Sequence, residues 1–140
     1  GPTFFAPMIK KAAEIATKSF EDSKTYTVLL MITDGCIDDL WDTIPEVIDA
    51  SDAPLSIIII GVGNDSFSNM EMLDGDEKAL SYRGKNAKRD IVQFVPFNKF
   101  KDLSPQILEN AVLEEVPNQV HQYCVQHGFV PQMANNDMLF

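Results

Sequence analysis

The chain has 140 residues, 45% of them hydrophobic, and a formal net charge of −10. That length fits one domain of the common size, about 100–150 residues, and the acidic balance excludes a dedicated nucleic-acid binder, which needs a basic face to neutralise phosphate. No apolar run is long enough to cross a bilayer, and the chain does not open on a basic segment followed by an apolar stretch, so neither a membrane span nor a secretory leader is expected.

Phe4 to Phe20 reads as an amphipathic helix: Phe5, Ile9, Ala12 or Ala13, Ala16 and Phe20 recur at three or four, with Lys10, Lys11 and Lys18 between them. Pro7 suits its first turn. Tyr26 to Thr33 (YTVLLMIT) is a continuous apolar run, the pattern of a strand covered on both faces. It ends at Thr33-Asp34-Gly35. Thr43-Ile44-Pro45-Glu46 has the form of a capping box, with Thr43 as N-cap and Pro45 in the first turn of a helix carrying Ile44, Val47 and Ile48.

Leu55 to Val62 (LSIIIIGV) is the strongest strand in the chain, because β-branching and the glycines after it favour strand over buried helix. Asn64 to Lys88 is polar and loop-rich, with a short helical stretch around Ser66 to Met72. Asp90 to Val95 (DIVQFV) is a third strand, stopped by Pro96. Ser104-Pro105 opens the last long helix by the N-cap and N1-proline rule, and Ile107, Leu108, Ala111, Val112, Val116 and Val120 form its stripe. Pro117 should kink or divide that helix, and Gly128 is its natural C-cap. Residues 1–130 are read as the domain and 131–140 as a flexible tail.

Strands alternating with helices predict an α/β fold in three layers, with parallel strands joined by crossovers. Three strands make a meagre sheet for two helical layers, which points to a further part of the sheet. Ligands in such folds collect beyond the carboxyl ends of strands. Two ends carry candidates: Thr33-Asp34-Gly35, and Gly61-Val62-Gly63-Asn64-Asp65-Ser66. The second lacks the third glycine of a dinucleotide fingerprint and the packed helix that should follow, so it reads as a tight turn.

The chain contains neither a phosphate loop of the Walker type nor a Gly-x-Ser-x-Gly elbow, and Cys36 has no base near it in sequence. "DGCIDD" and "LDGDEKAL" fail the EF-hand spacing. Cys36 and Cys124 read as reduced thiols. His121, Cys124 and His127 share one helix face but are more simply surface and packing residues than zinc ligands. Asp38/Asp39 and Asp74/Asp76 are accounted for as solvated loop acids. An enzyme is not expected.

"ITDG" at a strand end, "LSIIIIGVGN", "MLDGD", "RDIVQFVPF", "LSPQILENAVLEEVPNQV" and the opening "GPTFFAPMI" together resemble the copine family. The resemblance is to the C-terminal part of its von Willebrand factor A-type domain, over roughly residues 1 to 130. "DIVQFVPF" and "GPTFFAPMI" carry it most specifically. It implies a Rossmann-like three-layer domain, of which this chain is about half, with three parallel strands and flanking helices.

The resemblance also implies a non-enzymatic protein-interaction module of a cytoplasmic protein recruited to the plasma membrane when calcium rises. Calcium and phospholipid would be bound by two C2 domains that are not in this sequence. A related domain in RING-type ubiquitin ligases is the alternative parent. A-type domains hold a divalent cation (a MIDAS site) with an Asp-x-Ser-x-Ser loop, a threonine and an aspartate. By resemblance Thr3 is the threonine and Asp34 the aspartate. The Asp-x-Ser-x-Ser loop is absent; Asp49-Ala50-Ser51 imitates it, but leads into a strand. Mg²⁺ or Mn²⁺ is therefore expected in a complete domain and not in this chain alone. Without its usual neighbour, strand 26–33 should leave an open edge prone to self-association.

Overall fold

The computed structural model describes residues 1–76 and 78–129. The tail expected at 131–140 lies outside the described residues. In chain order the elements are α1 (Ala6–Ser23), β1 (Thr27–Thr33), α2 (Leu40–Ala50), β2 (Leu55–Gly61), α3 (Ser68–Leu73), β3 (Ser81–Tyr82), β4 (Lys85–Asn86), β5 (Val92–Pro96), α4 (Pro105–Leu113) and α5 (Val116–Gln126). A short 3₁₀ turn, Phe97–Lys99, follows β5. β1, β2 and β5 form a parallel sheet in the order β1-β2-β5, and β3 and β4 pair as a separate hairpin. The expected α/β architecture is present.

The pleat divides the sheet into two faces. Leu29, Met31, Leu55, Ile57, Ile59, Val92 and Phe94 point to one side. There they pack with Phe5, Ile9, Ala12 and Ala16 at α1, Ile44, Val47 and Ile48 of α2, and Met70 and Leu73 of α3. Ser56, Ile58, Gln93 and Val95 point to the other side and are buried too. α4 and α5 cover them, with Gln119 and Tyr123 as the buried residues of α5. β2, flanked on both edges and covered on both faces, explains its near-continuous isoleucine run.

Several expectations are corrected. β1 is covered on one face only: Val28, Leu30 and Ile32 are exposed, because α4 and α5 lie over β2 and β5 and do not reach it. α1 begins at Ala6, not Phe4, and continues to Ser23, where Lys24 takes a left-handed conformation and its amide closes the last turn on Phe20 O. α2 begins at Leu40, so Thr43 is not its N-cap and Pro45 lies inside it. The Thr43 hydroxyl donates instead to Asp39 O and Asp39 Oδ1. The burial of Leu40, together with Asp39 at the N-cap position, starts the helix upstream of the apparent capping box.

β5 starts at Val92 and includes Pro96, opposite Gly61 on this outer strand. In the stretch from Asn64 to Lys88 the short helix expected around Ser66 to Met72 is present as α3, while the remainder, read as loop, also holds the hairpin; Arg83 and Gly84, both with positive φ, make its two-residue turn. The last helix is divided as expected, with Pro117 in the first turn of α5. Gly128 follows the C-cap His127 with φ +72°, and Phe129 N donates to Cys124 O, the glycine-terminated helix end that its position promised.

The amino ends of the strands are tied together by Arg89, which is 5% exposed. Its Nε donates to Ser51 O, Nη1 to Tyr26 Oη and Gln119 O, and Nη2 to Ala53 O and Leu55 O. All five guanidinium N–H groups are thereby used, each on a neutral oxygen. One side chain thus joins the end of α2, the start of β2 and α5.

Candidate functional site

The site expected from Thr3 and Asp34 lies at the carboxyl end of β1. Asp34 is the first residue past the strand and is exposed; Thr3 is half-buried in the segment that enters α1. Both line one cavity of about 510 Å³, together with Phe5, Met8, Met31 and Val62. The segment holding Thr3 is fixed by the two acids that had been read as solvated. Thr3 N donates to Asp38 Oδ2 at 2.5 Å, and Asp38 N donates back to Thr3 O at 3.0 Å. Phe5 N and Ala6 N donate to Asp39 Oδ1 and Oδ2 at 2.8 and 2.9 Å. Asp38 and Asp39 therefore position Thr3 beside the end of β1. This contact spans 33 to 35 residues of sequence, which is why no local pattern showed it.

The donors present do not by themselves fit a magnesium-type ion, which takes about six oxygens near 2.1 Å. Thr3 and Asp34 stand at one end of a groove whose other lining side chains, Thr33 apart, are apolar. The Asp49-Ala50-Ser51 imitation of the absent loop is far from them, at the amino end of β2. Ser51 is buried, donating to Ile48 O and accepting from Lys88 N, while Asp49 pairs with Lys85.

The second strand end is a turn, as expected. A Cβ at Gly61 would meet the Phe67 ring at 2.8 Å, and Gly63 has φ +91°. Asn98 Nδ2 donates to Gly63 O and to Asn64 Oδ1, holding this loop against the turn after β5. Each glycine has a packing or backbone reason, and neither requires a phosphate. His127 stacks on Tyr123 and approaches Asp52 at 3.3 Å, and His121 is exposed, so these residues and Cys124 do not converge as a ligand set.

A group of acids that sequence reasoning dispersed comes together on the other side of β5. Single carboxylate oxygens of Asp74, Asp76, Asp90 and Glu115 all lie within 4.8 Å of one another. Asp74 Oδ2 accepts from Phe94 N at 3.0 Å, while its Oδ1 is buried without a partner among the described residues. Asp90 Oδ1 accepts from Val92 N at 3.1 Å. The Gln93 amide, with its nitrogen toward Glu115, donates to both carboxylate oxygens at 2.5 and 2.8 Å.

Burial, reinforced by Asp76 and Asp90, pushes the Asp74 carboxyl up to about 6. Burial first, and then Asp76, Asp74 and Asp90, pushes Glu115 up to about 8. Asp90 is raised mainly by burial. The cluster thus keeps protons where solvated acids would have lost them. Asp74 was misread because its burial depends on β5, some 20 residues away.

Among the described residues no helix is long and apolar enough to cross a membrane. A family model described as Copine matches residues 1–132. Nicotinic receptor-associated protein 1 of Caenorhabditis briggsae is 44% identical over 97% of this chain and 23% of the relative. The protein of that name from Caenorhabditis elegans is 45% identical over the same shares. Copine-D of Dictyostelium discoideum is 51% identical over 85% of this chain and 22% of its own length. The chain thus spans under a quarter of each relative's length. With the match running from Gly1 through α5, the chain belongs to the copine family.

Proposed function

We propose that this chain is a non-enzymatic protein-interaction module whose Thr3 and Asp34 are two arms of a divalent-cation (MIDAS-like) site that other residues must complete. The observation that carries the reading is the convergence of these two side chains on one cavity at the carboxyl end of β1, where ligands of such sheets collect. The cation, Mg²⁺ or Mn²⁺, would take Thr3 as a hydroxyl ligand and Asp34 as a carboxylate ligand. An acidic partner residue could then reach the ion through an open coordination position.

In a parent protein the module would work beside calcium-dependent phospholipid-binding domains. It would act in the cytoplasm and be carried to the plasma membrane when calcium rises. The name of the Caenorhabditis relatives associates those proteins with nicotinic receptors, so a membrane receptor is the partner class we favour here.

The test compares this chain with a longer form supplying an Asp-x-Ser-x-Ser loop. Millimolar Mg²⁺ or Mn²⁺ should leave the melting temperature of the 140-residue chain unchanged. It should raise that of the longer form by several degrees, and Asp34→Ala should abolish the rise. A longer form that responds equally with Asp34→Ala overturns the reading. So does a rise of several degrees in the short chain that Asp34→Ala abolishes, because the site would then be complete without the loop.

A further inference from the structure

We propose that the β3–β4 hairpin and the small cavity beneath it are a docking site for an acidic segment of a partner protein. Arg83 and Lys85 meet its carboxylates, and the cavity takes one apolar side chain between them. The site stands beside the end of α2, at the amino end of the strands, and is independent of the cation site at Thr3 and Asp34.

Charge is laid out unevenly along the chain. Of its 11 lysines and arginines, five fall between residues 78 and 89 (Lys78, Arg83, Lys85, Lys88 and Arg89), with no acid among them. Arg89 is buried and committed to the oxygens at the strand ends; the other four are exposed. Lys85 and Lys88 approach Asp49 and Asp52 at 3.6 and 3.2 Å. Both pairs are open to solvent, and such pairs exchange readily for another carboxylate. Arg83 has no acidic partner among the described residues. Its guanidinium lies 5.2 Å from the centre of the Tyr82 ring, which braces it from one side and leaves its N–H fork available for a carboxylate.

The hairpin is firmly placed for its size. Two strands of two residues are too short to stand alone, but Leu80, Tyr82 and Ala87 pack against the core, Ala87 N donates to Leu80 O, and β3 lies on α2. Lys88 N donates to Ser51 Oγ, and Arg89 fixes the exit. The position of the hairpin is therefore set by α2 and the turn into β2. At the tip Arg83 has φ +48°, a conformation that Asn, Asp or Gly adopts at less cost. An arginine there puts a cation at a turn where the usual residues would put none.

Beneath the hairpin lies a cavity of about 190 Å³. Val47, Leu73, Leu80 and Ile91 give it apolar walls, and Lys88 also lines it. Small-molecule sites begin at roughly 300 Å³, so this one is sized for a single side chain. An apolar anchor in a pocket with charged groups around it is the arrangement that carries most of the energy of a protein contact.

The rest of the molecule decides which anion fits. A membrane is broad and would meet the whole body, whose charge of −10 opposes it. A short acidic segment meets the hairpin alone. Nucleic acid needs more phosphate contacts than these few cations supply.

The probe is a fluorescein-labelled peptide with one leucine between pairs of glutamates, titrated into the 140-residue chain at low salt. Binding is followed by anisotropy and by amide chemical shifts. Shifts should concentrate in residues 78–91 and at Val47 and Leu73, and affinity should fall as salt rises. Arg83→Asn should weaken binding about tenfold through loss of charge-assisted hydrogen bonds. Asn suits the turn better than Arg does, so that loss is not a loss of fold. Ala79→Leu, at an exposed position lining the cavity, should remove the advantage of leucine over serine at the centre of the peptide. Lys18→Gln removes the same charge from an exposed position on α1 and should leave the affinity unchanged.

A peptide that does not bind, shifts centred elsewhere, or equal losses for Arg83→Asn and Lys18→Gln overturn the proposal. So does binding of the chain to phosphatidylserine vesicles that Arg83→Asn abolishes, which would make a membrane the occupant. A dimer that Arg83→Asn dissociates overturns it too, because the occupant would then be a second copy.

Discussion

Asp39 sits at the starts of two helices. It occupies the N-cap position of α2, yet its carboxylate accepts from Phe5 N and Ala6 N at the head of α1 and from the Thr43 hydroxyl. A negative charge is favourable at both helix beginnings, and the two amides it binds are among those that no intrahelical carbonyl satisfies. Loss of a cap costs about 0.5–2 kcal/mol, and Asp39→Ala removes the acceptor of three bonds at once, so about 2 kcal/mol is expected from urea unfolding. Asp39→Asn keeps one oxygen and should lose about half of that. Equal stability for both variants and wild type would show that Asp39 is idle in the native state. Asp38, bonded to Thr3, should matter less to stability because its pair lies at the exposed rim.

At the scale of elements, the four acids join the end of α3, the approach to β5 and the junction of α4 with α5. Asp74 and Glu115 have raised proton affinities in the folded state, about 6 and about 8 against ordinary values of 3.8 and 4.5. The folded protein therefore binds more protons than the unfolded chain between those limits, and stability must fall as pH rises through this window. The cluster's favourable contribution is fully present below pH 4 and lost by about pH 8. Melting should accordingly be higher at pH 5.5 than at pH 8, and Glu115→Gln should flatten the difference. A melt that rises with pH over this range in wild type, or an undiminished slope in Glu115→Gln, would contradict the assignment.

Elements set by local chemistry were legible in the sequence. The β2 run, the Ser104-Pro105 start and the division at Pro117 depend only on neighbours along the chain. The Arg83-Gly84 hairpin was not read from the sequence, because Arg is unusual at its position and the flanking strands are only two residues each. Asp39, Arg89 and the Asp74 cluster were not legible, because what each side chain does depends on partners 20 or more residues away. The capping-box reading of Thr43 failed because burial of Leu40 starts α2 upstream, so that the Thr43 hydroxyl turns back to Asp39 only four residues away. Of the candidate site, Asp34 was marked by its place at the carboxyl end of a strand, whereas Thr3, and the role of both as ligands, were reached through resemblance alone. Their shared cavity follows from how α1 is anchored over β1.

For the whole molecule the decisive quantity is charge. There are 21 acidic and 11 lysine or arginine residues, and the ion pairs among the described residues lie at the surface. Such pairs contribute about 0–1 kcal/mol each and weaken in salt. A net charge of −10 opposes them by repelling the compact state from within. The buried cation adds nothing to the surface pairs, since Arg89 spends all its donors on neutral oxygens. Salt therefore screens more repulsion than attraction here, and its net effect on the fold should be stabilising. Raising NaCl from about 10 mM to about 200 mM shortens the screening length from roughly 30 Å to under 10 Å. The melting temperature at pH 8, taken at low protein concentration so that association does not contribute, should rise by a few degrees. At pH 4, where many of the acids are protonated and the net charge is smaller, the same salt step should have little effect. A salt-induced fall at pH 8 would mean that the surface pairs outweigh the global repulsion, and would reverse this assignment of what limits the stability of the fold.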